Sequence, residues 1–172
     1  MFGRPITTLA EMREAVAAYT ARAGEKLRHE RLAATVLAVF LTTNPFKTDE
    51  PQYSNAVTIK LPAVTDATPD LLRYVLRGIE RIYRDGYRYN KAGVMLTALV
   101  PASQVQGDLF EDRNRERSSR LMRLLDRLNT EMGAGTLRYA AEGYVKRWRT
   151  RFERRSPAYT TNWRDLPVAK AS

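Results

Sequence analysis

Residues Ala34 to Thr43 read ATVLAVFLTT, and residues Asn55 to Leu61 read NAVTIKL. The first stretch is β-branched and aromatic and stops at Asn44-Pro45. The second alternates Val57, Ile59 and Leu61 with Thr58 and Lys60, so both are predicted strands. A third strand, KAGVMLTALV, is expected from Lys91 to Val100. Upstream, Thr8-Leu9-Ala10-Glu11 has the form of a capping box. Leu9, Met12, Val16, Ala23 and Leu27 then recur at helical spacing, predicting a helix from about Leu9 to Glu30. Between the second and third strands, Thr68-Pro69-Asp70 supplies an N-cap, a first-turn proline and an acidic first turn. Leu72, Val75, Ile79 and Ile82 continue it as the apolar stripe of a second helix, ending near Asp85-Gly86.

The order is a short extended start, helix, strand, strand, helix, strand, which is an α+β pattern with both helices covering one face of a sheet. Alternation sends Val57, Ile59 and Leu61, and likewise Val94, Leu96 and Ala98, toward the helices. Thr58, Lys60, Lys91, Met95 and Thr97 then point outward. A basic, polar, open sheet face suits a phosphate backbone, and it is equally what an ordinary solvated sheet face looks like.

The whole chain has 172 residues, with 29 Lys and Arg against 19 Asp and Glu, a formal charge of +10. An anionic partner is the default expectation, nucleic acid first and an acidic protein second. With no cysteine and one histidine, disulfide scaffolds, thiolate zinc sites and cysteine nucleophiles are excluded. No apolar run approaches the roughly 20 residues of a membrane span, and the start lacks a signal-peptide apolar core. The expectation is a protein without membrane association, in the cytoplasm.

The charge is unevenly placed. Arg113 to Arg155 carries 13 basic and 5 acidic residues, a net +8 of the +10. Three parts are expected: a folded domain over 1–100, a linker over 101–116, and a basic C-terminal extension, helical or irregular, over 117–172. In the extension, Ser118 or Ser119 can cap a helix with Leu121, Leu124, Leu125 and Leu128 on one face, stopped by Gly133 and Gly135. TLRYAAE, Thr136 to Glu142, could be a short strand.

No catalytic constellation emerges. His29 stands alone, reading as a solvated helix-surface residue. Gly133-Ala134-Gly135 lacks the strand-to-helix context of a dinucleotide loop, and Asp49-Glu50 and Glu111-Asp112 lie beside turns, as solvating charges do.

Four segments, in order, resemble the C-terminal part of UmuC-type Y-family translesion DNA polymerases, the group of UmuC, ImpB, MucB and SamB proteins. They are FGRPITTLAEMREAVAAYTARAGEKLR (Phe2 to Arg28), LTTNPF (Leu41 to Phe46), YRYNKAGVML (Tyr87 to Leu96), and GTLRYAAEG with SPAYTTNWRDL (Gly135 to Gly143 and Ser156 to Leu166). The resemblance implies a little finger domain: a four-stranded sheet with two helices on one face, the extended start Phe2 to Thr7 as fourth strand, and the other face in the DNA major groove. It implies a parent polymerase whose catalytic carboxylates and Mg²⁺ belong to a palm domain. This chain is therefore expected to lack catalysis and to hold no cofactor, keeping the grip on primer-template DNA.

The DNA-binding candidates are Arg4, Thr58, Lys60, Arg88 and Lys91. Arg4 and Lys91 match phosphate-contacting segments of the family, while Thr58, Lys60 and Arg88 rest mainly on the face assignment. Gln106-Gly107-Asp108-Leu109-Phe110 resembles the pentapeptide by which bacterial polymerases dock to the β sliding clamp, so Gln106, Asp108, Leu109 and Phe110 are the clamp-binding candidates. Gly107 departs from the pattern where an apolar residue is usual, and Leu109 and Phe110 could instead pack back onto the domain. For the basic extension the resemblance leaves two roles open. One is added grip on DNA, with Trp148, Phe152 or Trp163 stacking on bases; the other is docking of a UmuD-like accessory dimer or RecA filament. A plainer reading makes Tyr139, Tyr144, Trp148 and Trp163 a small core. A rival for the whole chain is a freestanding nucleic-acid adaptor, although the open face lacks the paired aromatics on which single-stranded RNA modules stack bases.

Overall fold

The computed structural model describes residues 1–104, 112–150, 157 and 159–166. Helix α1 (Leu9–His29) opens on extended Thr8, whose hydroxyl accepts from the Glu11 amide at 3.3 Å. The Glu11 carboxylate pairs with the Arg4 guanidinium. Helix α2 (Thr68–Ile82) is capped from Ala67 without a side-chain hydrogen bond, which corrects the expected Thr68 cap. Thr68 is fully buried in the first turn, and its hydroxyl accepts from Arg28 Nη1 at 2.9 Å. A buried arginine competes successfully for that oxygen because it has no water to bond instead.

Strands β1 (Leu32–Thr43), β2 (Ser54–Thr65) and β3 (Tyr89–Pro101) form an antiparallel sheet in the order β2-β1-β3. Leu37 stands opposite Ile59 and Leu96, Val39 opposite Val57 and Val94, and Leu41 opposite Asn55 and Ala92. These rows meet Met12 and Val16 of α1 and Leu71, Val75 and Ile79 of α2 in the main core, each fully buried helical side chain contributing roughly 1.5–3 kcal/mol. Gly78 lets α2 sit close to the sheet: a Cβ there would lie 2.8 Å from Val39 Cγ1 and 3.0 Å from Ile59 Cδ1. All four stripe residues expected for this helix, Leu72, Val75, Ile79 and Ile82, are buried.

Further expectations need correction. The start of the chain is not a fourth strand. Ile6 and Tyr89 exchange 2.9 Å backbone bonds and Phe2 donates to Asn90 O at 2.9 Å, a single bridge beside β3 rather than a ladder. Pro5 has no N–H to extend it. Ala98 does not face the helices; it is exposed with φ of 49°, a conformation that turns its side chain out of the alternation. Thr136 to Glu142 is not a strand, because Leu137 finds its backbone partners on one side chain. Leu137 N donates to Asn129 Oδ1 at 2.8 Å and Asn129 Nδ2 donates to Leu137 O at 3.0 Å, and a one-turn helix, Ala140–Glu142, follows.

Helix α3 (Asp112–Met132) begins before the expected Ser118 or Ser119 and stops at Gly133, whose φ is 106°. It turns Met122, Leu125, Asp126 and Asn129 inward and leaves Leu121 and Leu124 55% and 53% exposed, so only part of the expected leucine face, Leu125 with Leu128 at its edge, is covered. The rotation is explained by Asp126, which receives Arg28 Nε at 2.6 Å and Nη2 at 2.8 Å, while Arg28 Nη1 also reaches Asp66 O at 2.7 Å. Burial depresses the Arg28 pKa, and the Asp126 hydrogen bond and charge more than offset it, so the guanidinium is held above its usual value.

The chain then crosses α1 and meets its own beginning. Trp148 lies edge-on to Phe2 and Tyr19, with ring centroids at 6.2 and 5.5 Å, and Gly3 N donates to Trp148 O at 2.9 Å. Gly3 is required by that approach, since a Cβ would stand 2.5 Å from Arg149 O.

Candidate nucleic-acid interface

The face of the sheet away from the helices is built by alternation on β1. With Leu37, Val39 and Leu41 committed to the core, Val36, Ala38, Phe40 and Thr42 take the other side. Register then assembles four rows: Lys60, Val36 and Thr97; Thr58, Ala38 and Met95; Ala56, Phe40 and Gly93; Ser54, Thr42 and Lys91. The strands contain no acidic residue, so the only formal charges they contribute are the Lys60 and Lys91 ammonium groups, both exposed.

The two lysines occupy opposite corners. Six residues of β1 and two strand spacings separate their rows, about 20 Å at ordinary strand dimensions. That distance is close to a duplex diameter and exceeds the roughly 12 Å width of a major groove, so the pair can reach phosphates on both sides of a groove. Between them the surface is neutral and low. Phe40 covers Gly93, where a Cβ would lie 2.5 Å from the ring Cζ, and Lys91 Nζ stands 5.6 Å from the Phe40 centroid. This cation–π contact holds the Lys91 ammonium over the sheet without neutralising it.

Thr58, Lys60 and Lys91 thus share one face, while the other two basic candidates lie at its margins. Arg88, just before β3, stands 3.5 Å from Glu50, which also accepts from Lys47 Nζ at 2.8 Å, so it belongs to a partly neutralised rim. Arg4 is directed to the helix layer by its pairing with Glu11 in the first turn of α1. Gln106, Asp108, Leu109 and Phe110 lie outside the described residues. Phe40 is the surface residue that sequence reading missed. Its apolar neighbours on both sides hid the period, and the signal available was Gly93 at the facing position of the third strand.

The aromatic residues of the extension separate. Trp148 is buried at 4% exposure and is therefore unavailable for base stacking; Phe152 lies outside the described residues; Tyr139 is half-buried, whereas Tyr144 and Trp163 are exposed. The expected four-aromatic core is thus reduced to Trp148 and Tyr139. Among the described residues no three His, Cys, Asp or Glu side chains are grouped to hold a metal, and no helix is long and apolar enough to cross a membrane.

The architecture is that of an α+β module with a helix-covered core and an acid-free open sheet. Its sequence matches the impB/mucB/samB family C-terminal domain over residues 1–109 and a domain of unknown function over residues 119–169. It is 43% identical to Protein SamB and 41% identical to Protein ImpB of Salmonella typhimurium, each over 170 residues, 98% of this chain and 40% of the relative. It is 40% identical to Protein UmuC of S. typhimurium strain LT2 over 166 residues, 96% of this chain and 39% of the relative. The chain belongs to the impB/mucB/samB family and spans about two-fifths of the length of these relatives.

Proposed function

We propose that this chain is the DNA-gripping and clamp-tethering C-terminal portion of an error-prone translesion DNA polymerase acting in SOS repair. The observation that supports this best is the acid-free open face with Lys60 and Lys91 at opposite corners, backed by the helix-covered core. Contacts of this kind hold a duplex by its phosphates and read no sequence, as a polymerase that copies any template requires. Catalysis and Mg²⁺ belong, in this reading, to a palm domain outside the chain, and the protein works in the cytoplasm at the nucleoid.

Lys60→Ala and Lys91→Ala are each expected to weaken binding to a primer-template duplex and to lower the salt slope by about one ion, read by fluorescence anisotropy across a salt series. Unchanged slopes in both would refute the sheet as the DNA face, and tighter binding to single-stranded RNA than to duplex at equal salt would favour the freestanding adaptor.

Gln106 to Phe110 is the proposed tether. A glutamine amide and a Leu-Phe pair suffice for a modest-affinity pocket contact, which a ring-shaped clamp converts into processivity by tethering. Saturable binding to a bacterial β clamp should be lost in the Leu109→Ala, Phe110→Ala double mutant; equal binding of the two proteins would remove the tether from the proposal. The basic extension is assigned to protein docking, an accessory UmuD-like dimer or the RecA filament, rather than to the same duplex. This is supported by α3 packing against the Arg28 end of α1, on the helix side, and by its exposed Leu121 and Leu124.

A further inference from the structure

Helix α2 carries a second basic surface that the open sheet face does not account for. Arg73, Arg77 and Arg81 follow one another at intervals of four residues and are all exposed, and Arg84 is exposed just beyond the helix. The sheet-facing side of α2 is set by the buried Leu71, Leu72, Val75, Ile79 and Ile82, and the arginines lie on the other side of the helix, turned away from the sheet. A duplex seated on the open face is separated from them by the sheet and by a helix about 10 Å across.

Three observations define what this row fits. First, the charges are not neutralised internally: among the described residues the ion pair of α2 is Glu80 with Arg13 of α1, and Asp70 accepts from the Thr65 hydroxyl at 3.2 Å. Second, no large hydrophobic side chain of α2 is among the exposed ones, so the surface lacks the apolar anchor around which protein interfaces are built. Third, a four-residue step along a helix advances about 6 Å, the scale on which successive phosphates follow one another in an extended strand. Arg84 ends the row with its guanidinium carbon 5.0 Å from the centroid of the Tyr53 ring, a cationic plane of the sort on which a base stacks.

We propose that the outer face of α2 is a track for single-stranded DNA, distinct from the duplex face, with Arg73, Arg77 and Arg81 each engaging one phosphate. The choice of DNA over RNA rests on the function proposed above; the phosphate track itself does not. A protein gripping a primer-template on one side would thereby hold an unpaired strand on the other.

The 172-residue chain is titrated by anisotropy with fluorescein-labelled oligo(dT) and, separately, with a hairpin duplex. The Arg73→Ala, Arg77→Ala, Arg81→Ala variant should bind oligo(dT) about tenfold more weakly, with a salt slope lower by about two, while duplex affinity stays within about twofold. Lys60→Ala, Lys91→Ala should show the reverse pattern, so failure of the duplex face and failure of the α2 track are read in different arms. The Arg→Lys triple variant should keep most of the salt slope, which separates lost charge from lost fold. Unchanged oligo(dT) affinity and slope in the alanine variant would overturn the proposal. So would displacement of oligo(dT) by polyglutamate at equal charge concentration, which would assign the row to an acidic protein instead.

Discussion

The sheet domain and the C-terminal region are both basic, and they are built on opposite terms. In the sheet domain three apolar rows and two helices form a core so complete that the open face can be nearly bare, with two lysines standing on strands free of acids. The C-terminal region carries most of the net charge and little core. It is attached through Met122, Trp148 and the Arg28–Asp126 pair. The difference teaches that charge density is a poor guide to the position of an anion-binding face. An arginine-rich helix can be turned by one buried pairing, whereas a lysine on a strand is aimed by the pleat.

The contrast is tested most severely in the core. Leu37→Ala removes a fully buried side chain from the middle row and should cost about 3–4 kcal/mol, unfolding the sheet domain in one transition at lower urea. Arg28→Ala should cost less, about 2–3 kcal/mol, by leaving Asp126 without its partner. Its signature is regional: hydrogen exchange should accelerate across α3 while β1 stays protected. Acceleration throughout both would show that the two regions form one cooperative unit.

The smallest effect lies where Tyr83 donates its hydroxyl to Thr7 O at 2.8 Å and so holds the extended start to the end of α2. Burial first, then the charge of Asp85, pushes the Tyr83 hydroxyl from 10.0 up to about 12. Between those values the unfolded tyrosine gives up its proton and the folded one keeps it. The stabilisation is therefore fully present below about pH 10 and is lost as pH rises toward 12. Tyr83→Phe should lower stability near neutrality by about 1 kcal/mol and flatten the alkaline decline, measured as the urea midpoint against pH. An identical alkaline decline in the variant would remove Tyr83 from that role.

Much of the fold is legible along the chain. Both helices and all three strands of the domain fall within two to four residues of their expected ends, because their periods of 3.6 and 2 are imposed by one-sided burial. Lys60 and Thr58 could be placed for the same reason, their strand alternating cleanly. Phe40 could not, since ATVLAVFL is apolar on both sides and carries no visible period. The C-terminal helix is legible only in part, with Leu125 and Leu128 partly covered and Leu121 and Leu124 exposed. Its leucine stripe is a genuine amphipathic pattern, but helical spacing says only which residues share a face and nothing of which face meets the domain.

The amino-acid order by itself determined the two helices and three strands of the sheet domain, the sign of the charge and most of the residues able to stand on an open sheet, because each depends on neighbours within a few positions. Only the tertiary structure decided that the chain start bridges β3 without becoming a strand, that α3 is anchored through Asp126 with Leu121 and Leu124 left exposed, and that Trp148 is buried against Phe2. Those outcomes join residues 83 to 146 positions apart. They are set by which partners a folded surface leaves unsatisfied, a quantity that exists only once the surface has formed.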